Sequence, residues 1–188
     1  MHLYDCQVHE FIPHATSGQI ADVMAARFKS KLDSGVSESE IKSWRNSLGA
    51  FADAINGSGM DEAWVVLEYQ LPLSSSRLDC MVIGSDEHQR RNAVIMEFKQ
   101  WDGCEALPVP GLISLGGIEK LHPSLQVQAY RNYLRDAHSA FDDGQIDLAS
   151  CAYLHNVDST RHSGFHNGIY SALLSDSPTF SQDMVNEL

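Results

Sequence analysis

The spacing of apolar residues changes period along the chain, and each change predicts an element. Apolar positions at three- and four-residue intervals predict helices over roughly Ser17 to Lys31 and Glu38 to Ile55. Ser37 with Glu40 has the spacing of a capping box that starts the second, and Asn56-Gly57-Ser58-Gly59 stops it. The pattern then turns to β-branched and aromatic runs. Val65 to Leu71 reads as a strand with one acid, Glu68; Arg77-Leu78-Asp79 opens a second; Asn92 to Trp101 forms a third. Alternate strand residues share a face, so Glu97 and Lys99 emerge side by side while Met96 and Phe98 point the other way. Seventeen residues separate Asp79 from Glu97, enough for a hairpin that turns at Gly84 to Arg91 and sets Asp79 opposite Glu97.

Gly111 to Gly117 reads as a loop leading to a helix over His122 to Leu134. Leu125, Ala129, Tyr133 and Leu134 are its expected apolar stripe, Gln126 and Tyr130 share a face at i, i+4, and His122 before Pro123 is expected to cap it, with a place close to substrate as the alternative. A turn at Asp142-Asp143-Gly144 precedes a last strand, Leu148 to Leu154. The order ααβββαβ predicts an α/β fold: a three-strand meander, a crossover helix and a returning strand make a mixed central sheet flanked by helices.

Two acids and an amine on one hairpin are the candidate chemistry. Magnesium or manganese prefers oxygen ligands, and Asp79, Glu97 and the Phe98 backbone carbonyl would make a half-cage with room for water. Such an ion acidifies a bound water, and the Lys99 ammonium can orient that water or stabilise pentavalent phosphorus. The plain alternative is a solvated strand face, with Arg77 merely pairing a neighbouring acid. Glu68 upstream and Gln126 with Tyr130 downstream weigh against it, because they extend the set in order along the chain.

Asp79 followed by Glu97-Phe98-Lys99 resembles the D…(D/E)-x-K signature of the PD-(D/E)XK nuclease superfamily, with Leu78 where the family name has proline. Gln126-x-x-x-Tyr130 resembles the helix motif of its exonuclease branch. Read with Leu67 to Pro72, Ser43-Trp44-Arg45-Asn46-Ser47-Leu48, His122-Pro123-Ser124 and Tyr153-Leu154-His155-Asn156, the chain from about residue 15 to 157 looks like the N-terminal nuclease-like region of bacterial Schlafen-group DNA/RNA helicase proteins. The resemblance implies a restriction-endonuclease-like fold and a nuclease that uses Mg2+ or Mn2+. It implies Asp79, Glu97 and the Phe98 carbonyl as metal ligands and Glu68 as support for the metal or its water. Lys99 would orient the attacking water, and Gln126, Tyr130 and Arg77 would bind substrate. DNA is favoured over RNA, and Gln-x-x-x-Tyr leans toward exonuclease action. The larger proteins continue into an ATPase, but no G-x-x-x-x-G-K-[ST] occurs here, so a stand-alone nuclease or a fragment is expected.

Composition adds two constraints. With 188 residues, 43% hydrophobic, and no repeat or membrane-length apolar run, one domain over 1–188 is expected, with a helical segment at about 15–56 and a tail at about 159–188. Met1-His2-Leu3-Tyr4-Asp5-Cys6 lacks a signal-peptide pattern, and the cysteines at 6, 80, 104 and 151 form no C-x-x-C pair, which points to a reducing cytoplasm. A zinc reading of His155, His162 and His166 fails, since Ser163-Gly164 and Gly168 argue for a loop where the spacing needs a helix.

Charge is the second constraint: 13 basic and 25 acidic residues give −12, whereas proteins that grip phosphates normally present a basic surface. Residues 136–188 hold eight acids and one base, which leaves 17 acids and 12 bases, or −5, on residues 1–135. Arg77, Arg90, Arg91, Lys120, Arg131 and Arg135 are expected to make a local positive track. Tight binding is expected to need a partner subunit, a homo-oligomer or an absent ATPase/helicase domain. The alternative from another class is a catalytically inactive nuclease-fold module for nucleic-acid binding or complex assembly. The purified chain should therefore bind DNA weakly at physiological salt in fluorescence anisotropy, and a nanomolar Kd for the monomer refutes the need for a partner.

Overall fold

The computed structural model describes residues 1–32, 35–142, 144–160 and 162–188. In chain order its elements are β1 (Tyr4–Gln7), α1 (Val8–Thr16), α2 (Gln19–Leu32), α3 (Glu38–Ile55), β2 (Trp64–Gln70), β3 (Arg77–Ser85), β4 (Arg91–Lys99), β5 (Glu105–Ala106), β6 (Leu112–Leu115), β7 (Ile118–Leu121), α4 (Pro123–Ala137), β8 (Ile146–Leu154), α5 (Ser171–Asp176) and β9 (Thr179–Ser181). A mixed six-stranded sheet, ordered β1-β2-β3-β4-β8-β9, is flanked by helices. Its first four strands form an antiparallel meander, after which β8 pairs parallel to β4 and β9 parallel to β8.

Alternation along β4 explains the layers. Met96 and Phe98 enter the core beneath α1, α2 and α3, where Phe51 lies 5.6 Å from Phe11 and 5.3 Å from Phe98 between ring centroids. Ala93 and Ile95 face the opposite way, onto Val127 and Leu134 of α4. Burial of these faces is the main stabilising term, since each fully buried large apolar side chain contributes about 1.5–3 kcal/mol. A third cluster, with Ile113, Leu154, Phe165 and Tyr170, lies under the small sheet β5-β6-β7. No helix among the described residues is long and apolar enough to cross a membrane.

The helix and strand pattern anticipated α2, α3, β2, β3, β4, α4 and β8 to within a few residues. Ser37 caps α3 by accepting from Glu40 N at 3.2 Å, but the return half of the box is missing because the Glu40 carboxylate binds Arg77 instead. Two expectations need correction, and two stretches without an expected element gain one. Residues 4–16 form β1 and α1. The expected loop at 111–117 contains β6 and the turn of a hairpin whose Gly116 and Gly117 both have positive φ, as a two-residue type I′ turn requires. The tail returns to the central sheet through β9. The buried stripe of α4 is Ser124, Val127, Arg131 and Leu134; of the expected stripe Leu134 is buried, while Leu125, Ala129 and Tyr133 are not. That rotation follows from Arg131, which is buried because it donates to the Asp176 carbonyl at 2.9 Å and lies 2.5 Å from the Asp176 carboxylate. Asp143 of the expected turn lies outside the described residues.

His122 does cap α4. Its Nδ1 accepts from Ser124 N at 3.2 Å, so Nε2 carries the proton and donates to the Phe165 carbonyl at 2.9 Å. Burial holds its pKa below the ordinary value, in keeping with a neutral ring. His122→Ala should cost about 1–3 kcal/mol, and His122→Asn, a good cap without the Phe165 bond, should fall between it and wild type in thermal unfolding.

Candidate active site

The sheet forks at the predicted residues. β3 and β4 pair from Ser85↔Arg91 to Cys80↔Met96, and there the ladder ends. β4 continues on its other side, bonded to β8 as far as Lys99↔Leu154. In the gap, the Asp79 carboxylate accepts from Phe98 N at 2.8 Å, a side chain standing where a strand partner would be. An extended residue points its N–H and C=O to the same side, so the Phe98 carbonyl also faces this gap.

A second irregularity lies beside the first. The β2–β3 ladder skips Glu68 and Asp79 and resumes at Tyr69↔Leu78. Leu67 packs under α1–α3 whereas Tyr69 packs toward α4, and Cys80 and Leu78 divide in the same way. Both strands therefore change face at this pair. Glu68 has φ +53°, a left-handed conformation that costs a non-glycine residue about 1–3 kcal/mol. The result is a carboxylate turned toward α3. Trp44 Nε1 donates to Glu68 Oε1 at 2.9 Å, and the Arg77 guanidinium lies 3.2 Å from Oε2 while donating to Glu40 at 3.1 Å.

From the other side α4 supplies Gln126, whose Nε2 donates to Glu97 Oε1 at 2.7 Å and to the Tyr130 hydroxyl at 3.1 Å. Lys99 Nζ donates to the same Glu97 oxygen at 2.7 Å and lies 5.0 Å from the Trp101 ring centre. Asp79, Glu97, Lys99, Glu68, Arg77, Gln126 and Tyr130 thus all line one cavity of about 440 Å³ between α3 and α4. Burial raises the pKa of Glu97, and the nearby Asp79 charge adds to the rise; Lys99 opposes it. Burial likewise raises that of Asp79, against the Phe98 N–H, Lys99 and Arg77. Glu68 is pushed from an ordinary 4.5 to about 7, first by burial and then by Asp79. Burial also raises the Tyr130 pKa, which keeps its proton available to a ligand oxygen.

The expected positive track is shorter than the sequence suggested. Arg91 starts β4 and Lys99 ends it, about 26 Å away at strand rise, and Arg90 binds Asp86 at the far hairpin. Arg131 is buried against Asp176, Lys120 lies on β7 and Arg135 in the last turn of α4, and the cations that line the cavity are Arg77 and Lys99. Residues without an assigned role also belong to the site. Gln100 Nε2 donates to the hydroxyls of Ser43 at 2.6 Å and Ser47 at 3.2 Å, and Ser47 lies 3.1 Å from His155 Nε2. This network ties α3 to the residue after Lys99. Its sequence signal was three small or polar residues on one helix face, Ser43, Ser47 and Glu40, beside Trp44.

Among the described residues no three His, Cys, Asp or Glu side chains converge closely enough to cage an ion. Glu68 lines the same cavity with Oε1 accepting from Trp44 and Oε2 in an ion pair with Arg77. Asp79 Oδ1 and Glu97 Oε2 take no hydrogen bond from the described residues, and with the Phe98 carbonyl they are the oxygens that would hold an ion. On top of burial, Asp79 raises the pKa of both Glu97 and Glu68, an excess of negative charge that a divalent cation would relieve, so the chemistry of the donor set suits Mg2+ or Mn2+.

That excess has a pH signature. A carboxyl whose folded pKa is raised stabilises the fold fully below its unfolded pKa, and the contribution disappears as pH rises through the folded value. For Glu68 the window is about 4.5 to 7 and the effect is on the order of 3 kcal/mol. Buried His122 and His155 and half-buried His166, whose pKa values are lowered, act in the opposite direction, so the readout is the difference between wild type and Glu68→Gln. Between pH 5 and 8 wild type should lose about 5–10 °C of Tm relative to Glu68→Gln in calorimetry, and Mn2+ at pH 8 should restore part of it; parallel pH profiles would refute the assignment. Comparison of the chain with protein-family models, curated proteins and solved structures found no match.

Proposed function

We propose that this protein is a Mg2+- or Mn2+-dependent phosphodiesterase acting on nucleic acid, DNA in preference to RNA, on a restriction-endonuclease-like sheet. The observation that supports it most is the convergence of Asp79, Glu97 and Lys99 with Gln126 and Tyr130, from β3, β4 and α4, on one cavity at the fork of the sheet. An ion held by Asp79, Glu97 and the Phe98 carbonyl would supply charge stabilisation to the phosphate and a more acidic bound water. The protein's own groups do the rest. Lys99, pinned by Glu97 and Trp101, orients the attacking water and offsets charge on the phosphate oxygens. The Tyr130 hydroxyl accepts from Gln126 and so keeps its proton for a phosphate oxygen. Glu68, held by Trp44 and Arg77, sets the charge that the cation answers.

The same reading assigns the protein to a reducing cytoplasm and to a repair or phage-defence assembly. There a partner subunit, a second copy or an ATPase/helicase domain supplies the basic surface that a net charge of −12 lacks. A second reading, a catalytically inactive module for nucleic-acid binding or complex assembly, draws support from the lack of three converging ligands among the described residues. Cleavage assays with Mg2+ or Mn2+ on single- and double-stranded DNA and on RNA decide between them. Asp79→Ala and Lys99→Ala should each lower the rate at least 100-fold, the scale of losing a positioned charge or proton-transfer group. Undiminished activity in both variants sinks the assignment, and binding without cleavage in any divalent metal selects the inactive module.

A further inference from the structure

Ser43, Ser47 and Phe51 stand four residues apart and so form one ridge of α3. Beneath it β4 sets Met96 and Phe98 on the same side, and Gln100, the residue after Lys99, continues that row. Phe51 meets Phe98, and the two serines meet Gln100, so an apolar contact gives way to a polar hub where the strand ends. Gln100 Nε2 donates to the Ser43 hydroxyl at 2.6 Å, the Ser43 carbonyl at 3.0 Å and the Ser47 hydroxyl at 3.2 Å. Its Oε1 accepts from Asn46 Nδ2 at 3.1 Å, and its backbone carbonyl accepts from Asn156 Nδ2 at 3.3 Å. The buried Ser47 hydroxyl has its own proton left for His155 Nε2, 3.1 Å away. His155 follows Leu154, the β8 residue that pairs with Lys99. One side chain therefore joins α3, the end of β4 and the end of β8.

We propose that Gln100 is a positioning residue for Lys99, with Ser47 and His155 as its link to β8: the hub fixes where the Lys99 ammonium stands between Glu97 and Trp101. Its consequence for the reaction rests on the phosphodiesterase reading of the cavity. Lys99 needs such support because β3 has already left, and Glu97 to Lys99 pair with β8 alone. Past Lys99 the chain leaves the sheet, and the four-carbon stem of a lysine is flexible. The contacts of its ammonium with Glu97 and Trp101 hold the head in place only while the backbone beneath it is held. Gln100 itself is not among the residues that line the cavity, so it acts through Lys99 and not on substrate. Misplacing a reacting group by about 1 Å costs on the order of 100-fold in rate, so the hub governs kcat.

The test uses the full chain with Mn2+ and DNA. Gln100→Ala should lower kcat about 10- to 100-fold and leave KM and the half-saturating Mn2+ concentration within about twofold of wild type. In a Lys99→Ala background the same change should cost less than about twofold, since a residue that acts through Lys99 has nothing left to place. Equal losses in the two backgrounds overturn the proposal, because they mark Gln100 as support for the fold at large. His155→Leu should lose part of the rate, and His155→Gln, whose Oε1 can accept from Ser47, should recover most of it. If Gln100→Ala fails to fold, this pair decides in its place, again with and without Lys99→Ala. A readout free of activity is acylation of Lys99 by acetic anhydride, followed by peptide mass spectrometry. Gln100→Ala should speed labelling of Lys99 several-fold and leave the exposed Lys29 and Lys120 unchanged. An unchanged Lys99 rate overturns the proposal. If wild type cuts nothing, the phosphodiesterase reading fails by itself, and the labelling still decides the positioning.

Discussion

The hydrogen bond from Phe98 N–H to the Asp79 carboxylate sits where β3 leaves β4, and the cavity exists because the sheet opens there. Parting two strands in mid-sheet exposes backbone groups whose burial without partners is costly. The carboxylate meets that cost at Phe98. Parallel pairing with β8 meets it on the other side of β4 and keeps Glu97, Phe98 and Lys99 extended while β3 turns away. One strand further on, the β2–β3 ladder is also interrupted at Glu68, whose left-handed backbone accompanies a carboxylate that accepts from Trp44.

Opening the sheet gathers charges that repel one another. Asp79, Glu97 and Glu68 all resist ionisation, mainly through burial, and Lys99 and Arg77 offset only part of that. Arg77 is itself shared between Glu40 and Glu68 and lies 5.0 Å from the Phe28 ring centre, so its position is determined by α2, α3 and β2 together. Two cationic side chains, Arg77 and Lys99, face the carboxylates of Glu40, Glu68, Asp79 and Glu97 in the cavity lining. The buried neutral rings of His122 and His155 fix the two walls without adding charge: one caps α4, and the other joins Ser47 and Gln100 behind Lys99.

What could be read in advance followed the local periodicities. Glu97 and Lys99 share a face because strand period is two, and Gln126 reaches Tyr130 because helix period is near four. The small sheet was misread although Gly116-Gly117 carried a hairpin signal, because its flanking strands are four residues each and β7 is exposed throughout. Leu125 and Ala129 looked like the buried stripe of α4 since periodicity cannot weigh a buried Arg131–Asp176 pair made across forty-five residues. Trp44, Ser47 and His155 were visible only as parts of a pattern, with no means of seeing what they touch.

The sequence by itself determined the order of elements, the helix caps at Ser37 and His122, and the presentation of Asp79, Glu97, Lys99, Gln126 and Tyr130 on elements that can meet. Those are consequences of neighbours along the chain. The tertiary structure decided that β3 and β4 part after Cys80↔Met96, that the Glu68 carboxylate accepts from Trp44, and that Arg131 is spent on Asp176. The physical reason is that strand pairing and desolvation depend on contacts between residues far apart in the chain, and the cost of a buried charge or an unpaired amide is set by whatever lies across the gap.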